Sequence, residues 1–381
     1  MSVSPARPKA VFVVGTRPDA IKTAPVVREF LRFPDQVETI LVATGQHREM
    51  LRQALAAFDL TPNHDLDVMQ HGQTLAQVTT RILAGLDQIL DQSQPQVVLA
   101  QGDTTTTFVD CLASFDRQIP FAHIEAGLRT PTVFDPFPEE FNRRAVGLFA
   151  RWHLAPTQWS ADNLRREGVP EAHLFVTGNT GIDAVHHVAR QTPTEWYADD
   201  PARIILLTTH RRENWGEPQR AIAQAARELV EQVPDTRLVV AMHRNPAVRE
   251  TLTQVLGDAP RTDLIEPPDY ADFVKLMQRA TLILTDSGGV QEEAPSFGVP
   301  VLVLRQTTER PEGLNAGTAR LVGTDRATIV EAALPLLTDA QAHAAMAQAV
   351  SPYGDGRASA RCRYAVLAGL GVDTPAEPMW I

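Results

Sequence analysis

Short, almost wholly apolar runs alternate along this chain with longer segments in which apolar residues recur every three to four positions. The first pattern fits strands buried on both faces and the second fits amphipathic helices, so the alternation predicts parallel sheets covered by helices. Strands are expected at Ala10–Val14, Val37–Ala43, Gln96–Ala100 and Pro120–Ile124 in the first half, and at Arg203–Thr208, Arg237–Met242 and Thr281–Thr285 in the second. Three helical faces are clear: Leu75, Val78, Ile82, Leu86 and Ile89; Ile222, Ala225, Ala226, Leu229 and Val233; and Tyr270, Phe273, Val274 and Met277. Between Asp183 and Arg203 the chain turns polar, with Pro193, Pro201 and the Asp199–Asp200 pair, and a domain junction is expected there.

Composition sharpens this to two α/β domains, since 381 residues exceed the size at which a single core keeps growing. With 44% hydrophobic and 21% charged residues the chain has ample material for both cores. No apolar run approaches membrane-spanning length, and the N-terminal MSVSPARPKA lacks the apolar core of an export signal. No membrane association and a cytoplasmic location are therefore expected. The two cysteines, Cys111 and Cys362, lie in different halves and argue against a disulfide framework or a thiolate metal site. A net charge of −11 lacks the basic footprint of a nucleic-acid binder, so an anionic ligand would be held by placed residues.

The chemistry gathers at the predicted strand ends, where the crevice rule places ligands in doubly wound sheets. The most telling stretch is TDSGGVQEEAPSFGVPVLVL, Thr285 to Leu304, in which a buried strand meets a small-residue turn, Asp286 to Gly289, and a helix opening. Its backbone N–H groups suit a diphosphate, and Glu293 or Glu292 could accept both hydroxyls of a ribose; acidic residues in a first helical turn are also favourable without a ligand. After the first strand, Arg17 and Lys22 bracket a helix start at Pro18, where cations make sense with an anion between them, Asp19 being a local alternative. QGDTTTT offers Asp103, either a helix cap or a strand-end carboxylate among threonine hydroxyls. HIEAGLRT places His123, Glu125 and Arg129 at the next strand end, and PFPEEFNRR starts a helix with Glu139 and Glu140. In the second half His210 and His243 follow successive strands, and TTERPEG adds Arg310 after one more. No G-x-G-x-x-G follows a strand, and neither a P-loop nor an H-E-x-x-H occurs, which argues against a bound dinucleotide, a P-loop NTPase and a zincin.

Taken together, GTRPDAIK, TGQHREM, QGDTTTT, HIEAGLRT, PFPEEFNR, TGNT, HRREN, DSGGVQEEAPSFGVPVL and TTERPEG resemble, in order and spacing, the non-hydrolysing UDP-N-acetylglucosamine 2-epimerases. The resemblance covers nearly the whole chain. It implies a fold of GT-B type, with two Rossmann-like domains facing across a cleft, divided as 1–182 plus a returning 357–381 and 183–356. It also implies a homodimer, UDP-N-acetylglucosamine and UDP as ligands, no cofactor and no metal. Carried across position by position, Asp103, Glu125 and Glu139 match the family's catalytic carboxylates and His210 the histidine near the diphosphate. Arg17, Lys22, His243, Ser287, Gly288, Gly289, Glu293 and Arg310 match substrate-binding positions. The chain departs from its relatives at LRTPTVFDPFPEE, where Pro131 and Thr132 replace the usual residues, and at HRNP, where Arg244 stands for leucine. It also has Gly72 where substrate-activated members carry an arginine before QTL.

The implied reaction inverts C2 of the sugar through loss of UDP to give 2-acetamidoglucal, followed by re-addition on the other face. Carboxylates would move the C2 proton while Arg17, Lys22 and His210 stabilise the departing diphosphate. The rival readings are a glycosyltransferase sharing the uridine site, a nucleotide-sugar sensor without turnover, and a hydrolysing epimerase.

Overall fold

The computed structural model describes residues 7–45, 48–69, 72–193 and 195–380; Gln46 and His47 of TGQHREM lie outside them. The chain forms two compact units, residues 1–187 with 354–381 and residues 188–353. The division falls within the helix Thr180–Gln191, inside the Asp183 to Arg203 stretch where the sequence suggested a junction.

In the first unit the strands β1 (Lys9–Val14), β2 (Glu38–Ala43), β3 (His64–Asp65), β4 (Val97–Gln101), β5 (Phe121–Ile124), β6 (Trp152–Ala155) and β7 (Leu174–Val176) build one sheet. Its order is β3-β2-β1-β4-β5-β6-β7, and every pairing is parallel. The second unit repeats the plan with β8 (Arg203–Thr208), β9 (Thr236–Ala241), β10 (Thr262–Ile265), β11 (Ala280–Thr285), β12 (Val301–Val303) and β13 (Ala319–Leu321). These pair, all parallel, in the order β10-β9-β8-β11-β12-β13. Both sheets are doubly wound, so each reverses its winding once: between β1 and β4, and between β8 and β11.

The central strands are buried end to end, as their unbroken apolar runs require: Ala10 to Val14, Val97 to Ala100, Ile204 to Leu207 and Leu282 to Leu284 are all core. Helix packing follows the predicted faces with one correction. Val78, Ile82, Leu86 and Ile89 are buried, but Leu75 is 49% exposed, because it opens the helix Leu75–Ser93 beyond the sheet's cover. In the second unit Ile222, Ala225, Ala226, Leu229 and Val233 pack into one core with Leu238, Leu282 and Leu302. After Tyr353 the chain rejoins the first unit through the helix Ala358–Gly369, which packs on Arg17–Leu31. There the Arg363 Nε–H donates to Glu29 Oε1 at 3.0 Å, and the buried Asp183 carboxylate accepts the N–H groups of Ala358 and Ser359 at 3.1 and 2.8 Å. Among the described residues no helix is long and apolar enough to cross a membrane.

Candidate active site

The reversal of the first sheet sets the end of β1 beside the end of β4, and the neighbouring pair β4 and β5 brings Asp103 and Glu125 to the same edge. Asp103 is not a helix cap. Thr104 takes that role, its hydroxyl accepting Thr107 N–H at 3.3 Å, and the helix runs Thr105–Asp116. Three of the four threonines have separate duties: Thr107 Oγ1–H donates to Gln101 O at 2.7 Å, Thr104 Oγ1–H to Asp19 at 3.3 Å, and Thr106 packs against Gly15. A Cβ on Gly15 would stand 2.2 Å from the Thr106 hydroxyl, so this close approach of helix to turn requires glycine.

Asp103 is held by the helix Glu139–Phe149. Arg143 Nη2 forms an ion pair with its carboxylate, and Asn142 Nδ2–H donates to its carbonyl at 2.8 Å. That helix starts with two carboxylates of opposite character. Glu140 is fully buried and accepts from Arg143 at 3.1 Å, Arg144 at 2.7 Å and the Thr130 N–H at 3.1 Å, which makes it structural. Glu139 is half-buried with no hydrogen bond or ion pair among the described residues, one turn from the arginine that holds Asp103.

Glu125 adopts a left-handed backbone with φ +64°, a conformation costing a non-glycine residue about 1–3 kcal/mol. Its carboxylate accepts hydrogen bonds from the partly buried Lys22 Nζ and from Nε2 of the buried Gln101. Lys22 is therefore matched with Glu125, whereas Asp19, offered by the sequence as a local partner, binds Thr16 N–H at 3.1 Å and Thr16 Oγ1–H at 2.7 Å. Burial pushes the Asp19 carboxyl up to about 6 despite those bonds. Arg17 is exposed and makes no hydrogen bond or ion pair among the described residues. The other two candidates of HIEAGLRT are structural. His123 is buried, its Nε2 lies 2.7 Å from Gly102 O, and burial lowers its pKa to about 3; Arg129 forks onto Glu167 with two bonds of 2.7 Å.

At the reversal of the second sheet, the ends of β8 and β11 are tied through one carboxylate. Asp286 is fully buried and accepts from Thr209 Oγ1–H at 2.9 Å, Arg211 N–H at 3.0 Å and Asn214 Nδ2–H at 3.0 Å. It also takes the His210 N–H, at 3.1 and 3.0 Å from its two oxygens, and lies 2.9 Å from His210 Nδ1. Burial would raise this acid, but His210 and the surrounding N–H donors outweigh it and hold the pKa at about 2. His243, at the end of β9, sets its ring 5.9 Å from that of His210. Its pKa is lowered, first by burial and then by His210.

The loop bearing Arg310 folds back over the DSGGVQEE turn. Thr308 Oγ1–H donates to Gln291 at 2.8 Å and Arg310 Nε–H to Glu292 at 2.6 Å. The Arg310 guanidinium covers Gly288 so closely that a Cβ there would meet it at 2.6 Å. Of the two glutamates left open by the sequence, Glu292 is buried against Arg310, while Glu293 is half-buried on the side of Gly289. Ser287 N–H donates to Thr285 Oγ1 at 3.0 Å.

Sequence reasoning missed Gln101, Arg143 and Asp286, whose contacts place the recognised residues. Gln101 and Arg143 had one available signal: each is a polar residue adjoining a motif carboxylate, two residues before Asp103 or one turn after Glu139.

A sequence profile described as UDP-N-acetylglucosamine 2-epimerase matches residues 31–366. The UDP-N-acetylglucosamine 2-epimerase of Bacillus subtilis strain 168 is 48% identical over 355 residues, 93% of each chain. A crystal structure from Listeria monocytogenes, assigned provisionally to the same activity, is 46% identical with a TM-score of 0.92, covering 96% of this chain and 97% of that one. The UDP-GlcNAc 2-epimerase of Neisseria meningitidis, crystallised with UDP-GlcNAc, is 42% identical with a TM-score of 0.83, covering 94% of this chain and all of its own.

Proposed function

Since the chain belongs to the UDP-N-acetylglucosamine 2-epimerase family, we propose that it interconverts UDP-N-acetylglucosamine and UDP-N-acetylmannosamine without hydrolysis, by elimination of UDP and its re-addition. The difficulty of this reaction is that C2 adjoins no carbonyl, so its hydrogen is not acidic in the resting sugar. As UDP departs from C1, oxocarbenium character makes that hydrogen removable by a carboxylate. The products are 2-acetamidoglucal and UDP; proton return and re-addition with inverted C2 geometry give the manno epimer.

The observation that carries the reading is the pinned pair at the ends of β4 and β5, Asp103 on Arg143 and Glu125 on Lys22 and Gln101. Carboxylates fixed in orientation by cationic partners are what a proton transfer at one carbon requires, and Glu139 adds a third carboxylate, without a side-chain partner among the described residues. To the second unit the reading assigns the nucleotide. His210, His243, Arg310 and the Ser287–Gly289 turn bind the diphosphate, and Glu293 binds the ribose, since Glu292 is committed to Arg310. Arg17 and Lys22 complete the stabilisation of the leaving group. Support for UDP-N-acetylglucosamine as ligand comes from the Neisseria meningitidis relative, crystallised with it.

The same proposal includes a homodimer. The neighbouring helices Leu75–Ser93, Thr105–Asp116 and Glu139–Phe149 expose Leu75, Phe115, Phe141 and Leu148, the last at 91%, an apolar face that a second copy would cover. A cytoplasmic location, feeding cell-surface polysaccharide synthesis, accords with two buried free thiols, Cys111 and Cys362.

Product analysis tests the reading. Incubating the protein with UDP-N-acetylglucosamine alone should yield a mixture of the two UDP-sugars. Free N-acetylmannosamine with equimolar UDP would indicate a hydrolysing enzyme, turnover only with a sugar acceptor would indicate a transferase, and tight UDP binding without turnover would indicate a sensor.

A further inference from the structure

Asp286 contributes no group to the reading above, yet its carboxylate is densely engaged. Its two oxygens receive the hydroxyl of Thr209, the side-chain amide of Asn214, the N–H groups of His210 and Arg211, and the Nδ1 edge of the His210 ring. A carboxylate offers about four lone-pair directions and, when ionised, no donor. Surrounded by that many donors, Asp286 can only be an anion, and an anion at 2.9 Å forces Nδ1 of His210 to carry its hydrogen.

The remaining ring nitrogen, Nε2, is then the group left to face a ligand, and the His210 side chain is 41% exposed. In a neutral ring with hydrogen on Nδ1, Nε2 is an acceptor and repels a phosphate oxygen. Contact with a diphosphate therefore requires a second proton, and the resulting imidazolium has its counter-charge already in place beneath it.

We propose that Asp286 is the positioning residue of this centre: it fixes His210 with Nε2 outward and, by pairing with the charged ring, couples binding of a nucleotide diphosphate to protonation of His210. This rests on the assignment of the diphosphate to the second unit. The other charged groups around the ring do not substitute for Asp286. His243 from the end of β9 is a second imidazole with Arg249 behind it, which opposes added positive charge, and Arg211, next in the chain, has Glu309 at 3.9 Å from its Nη1. The arrangement also places the proton on an atom touching the leaving group, where it can offset charge as the C1–O bond breaks.

The test uses the full chain with 15N-labelled histidine and long-range 1H–15N correlation spectra at about pH 8, above the ordinary imidazole range. His210 is identified by the signal lost in His210→Gln. Without ligand the ring should show hydrogen on Nδ1 only; with saturating UDP it should show both nitrogens protonated. Asp286→Asn, which keeps the shape, should abolish the UDP-induced protonation and lower kcat by about 100-fold. A wild-type ring with hydrogen on Nε2 in the free protein, or one that stays singly protonated with UDP bound, would overturn the proposal, and both are read without a variant. Full turnover by His210→Gln would instead remove His210 from the reaction, a separate failure that the spectra distinguish.

Discussion

The two sheet reversals are built from the same topology but carry opposite chemistry. In the first unit the strand ends present carboxylates, each held by a cation from a helix: Asp103 by Arg143 and Glu125 by Lys22. In the second, a single carboxylate is buried and saturated by donors, and what it presents outward is a histidine, with Arg310 folded over the adjacent glycine turn. Burial acts differently on the key acids as well, raising Asp19 to about 6 where donors are few and failing to raise Asp286, held at about 2, where they are many. Topology thus fixes where chemistry can occur, and on the proposed reading the choice of partners decides whether the place moves protons or holds an anion.

The sharpest way to break this contrast is to neutralise one side and watch the other. Glu125→Gln and Asp103→Asn should each lower kcat by about 10³-fold while leaving UDP affinity within about twofold, measured by initial rates and calorimetric titration. Loss of UDP binding would show that the first unit holds the nucleotide.

Protonation separates the units next. Folded Asp19 keeps its proton to about pH 6, whereas the unfolded chain releases it near 3.8. Its contribution is therefore present below pH 3.8 and lost as pH rises to 6, on the order of 3 kcal/mol. Asp286 runs the other way, stabilising above 3.8 and losing that contribution as pH falls toward 2. Hydrogen exchange followed from about pH 4 to 7 should show first-unit protection shrinking relative to Asp19→Asn, whose slope lacks this component.

Gly288→Ala should push the Arg310 guanidinium from its seat, since the new methyl would sit 2.6 Å from it. The expected result is a 10- to 100-fold rise in the Kd for UDP, equivalent to about 1.5–3 kcal/mol, with the carboxylate pairs of the first unit untouched. The smallest effect concerns Asp110. It is fully buried, neither oxygen has a hydrogen-bond partner among the described residues, and burial raises its pKa well above the usual range. Because a neutral amide of the same shape relieves that desolvation, Asp110→Asn should leave the thermal midpoint unchanged or a few degrees higher.

How far the sequence could be read depended on length scale. The central strands, unbroken apolar runs such as Arg203–Thr208, were legible to within a residue or two, because burial on both faces leaves no other pattern. Edge strands such as His64–Asp65 and Ala319–Leu321 were not, being two or three residues long, with exposed His64, Asp65 and Arg320. At the site, motif glutamates could be located but not sorted. Glu140 and Glu292 differ from Glu139 and Glu293 only in which side of a helix faces Arg143 or Arg310, contacts made across 18 residues of chain in the second case. Asp286 looked like a turn residue because its partners at Thr209 to Asn214 lie more than 70 residues away.

The central claim is that departing UDP makes C2 acidic enough for a pinned carboxylate to take its hydrogen. Incubating the protein with UDP-N-acetylglucosamine in deuterated water and following C2 by NMR tests it directly. The account predicts deuterium at C2 in both UDP-sugars, entering at the rate of epimerisation and nearly abolished in Glu125→Gln or Asp103→Asn. Epimerisation with the original hydrogen retained at C2 would contradict it.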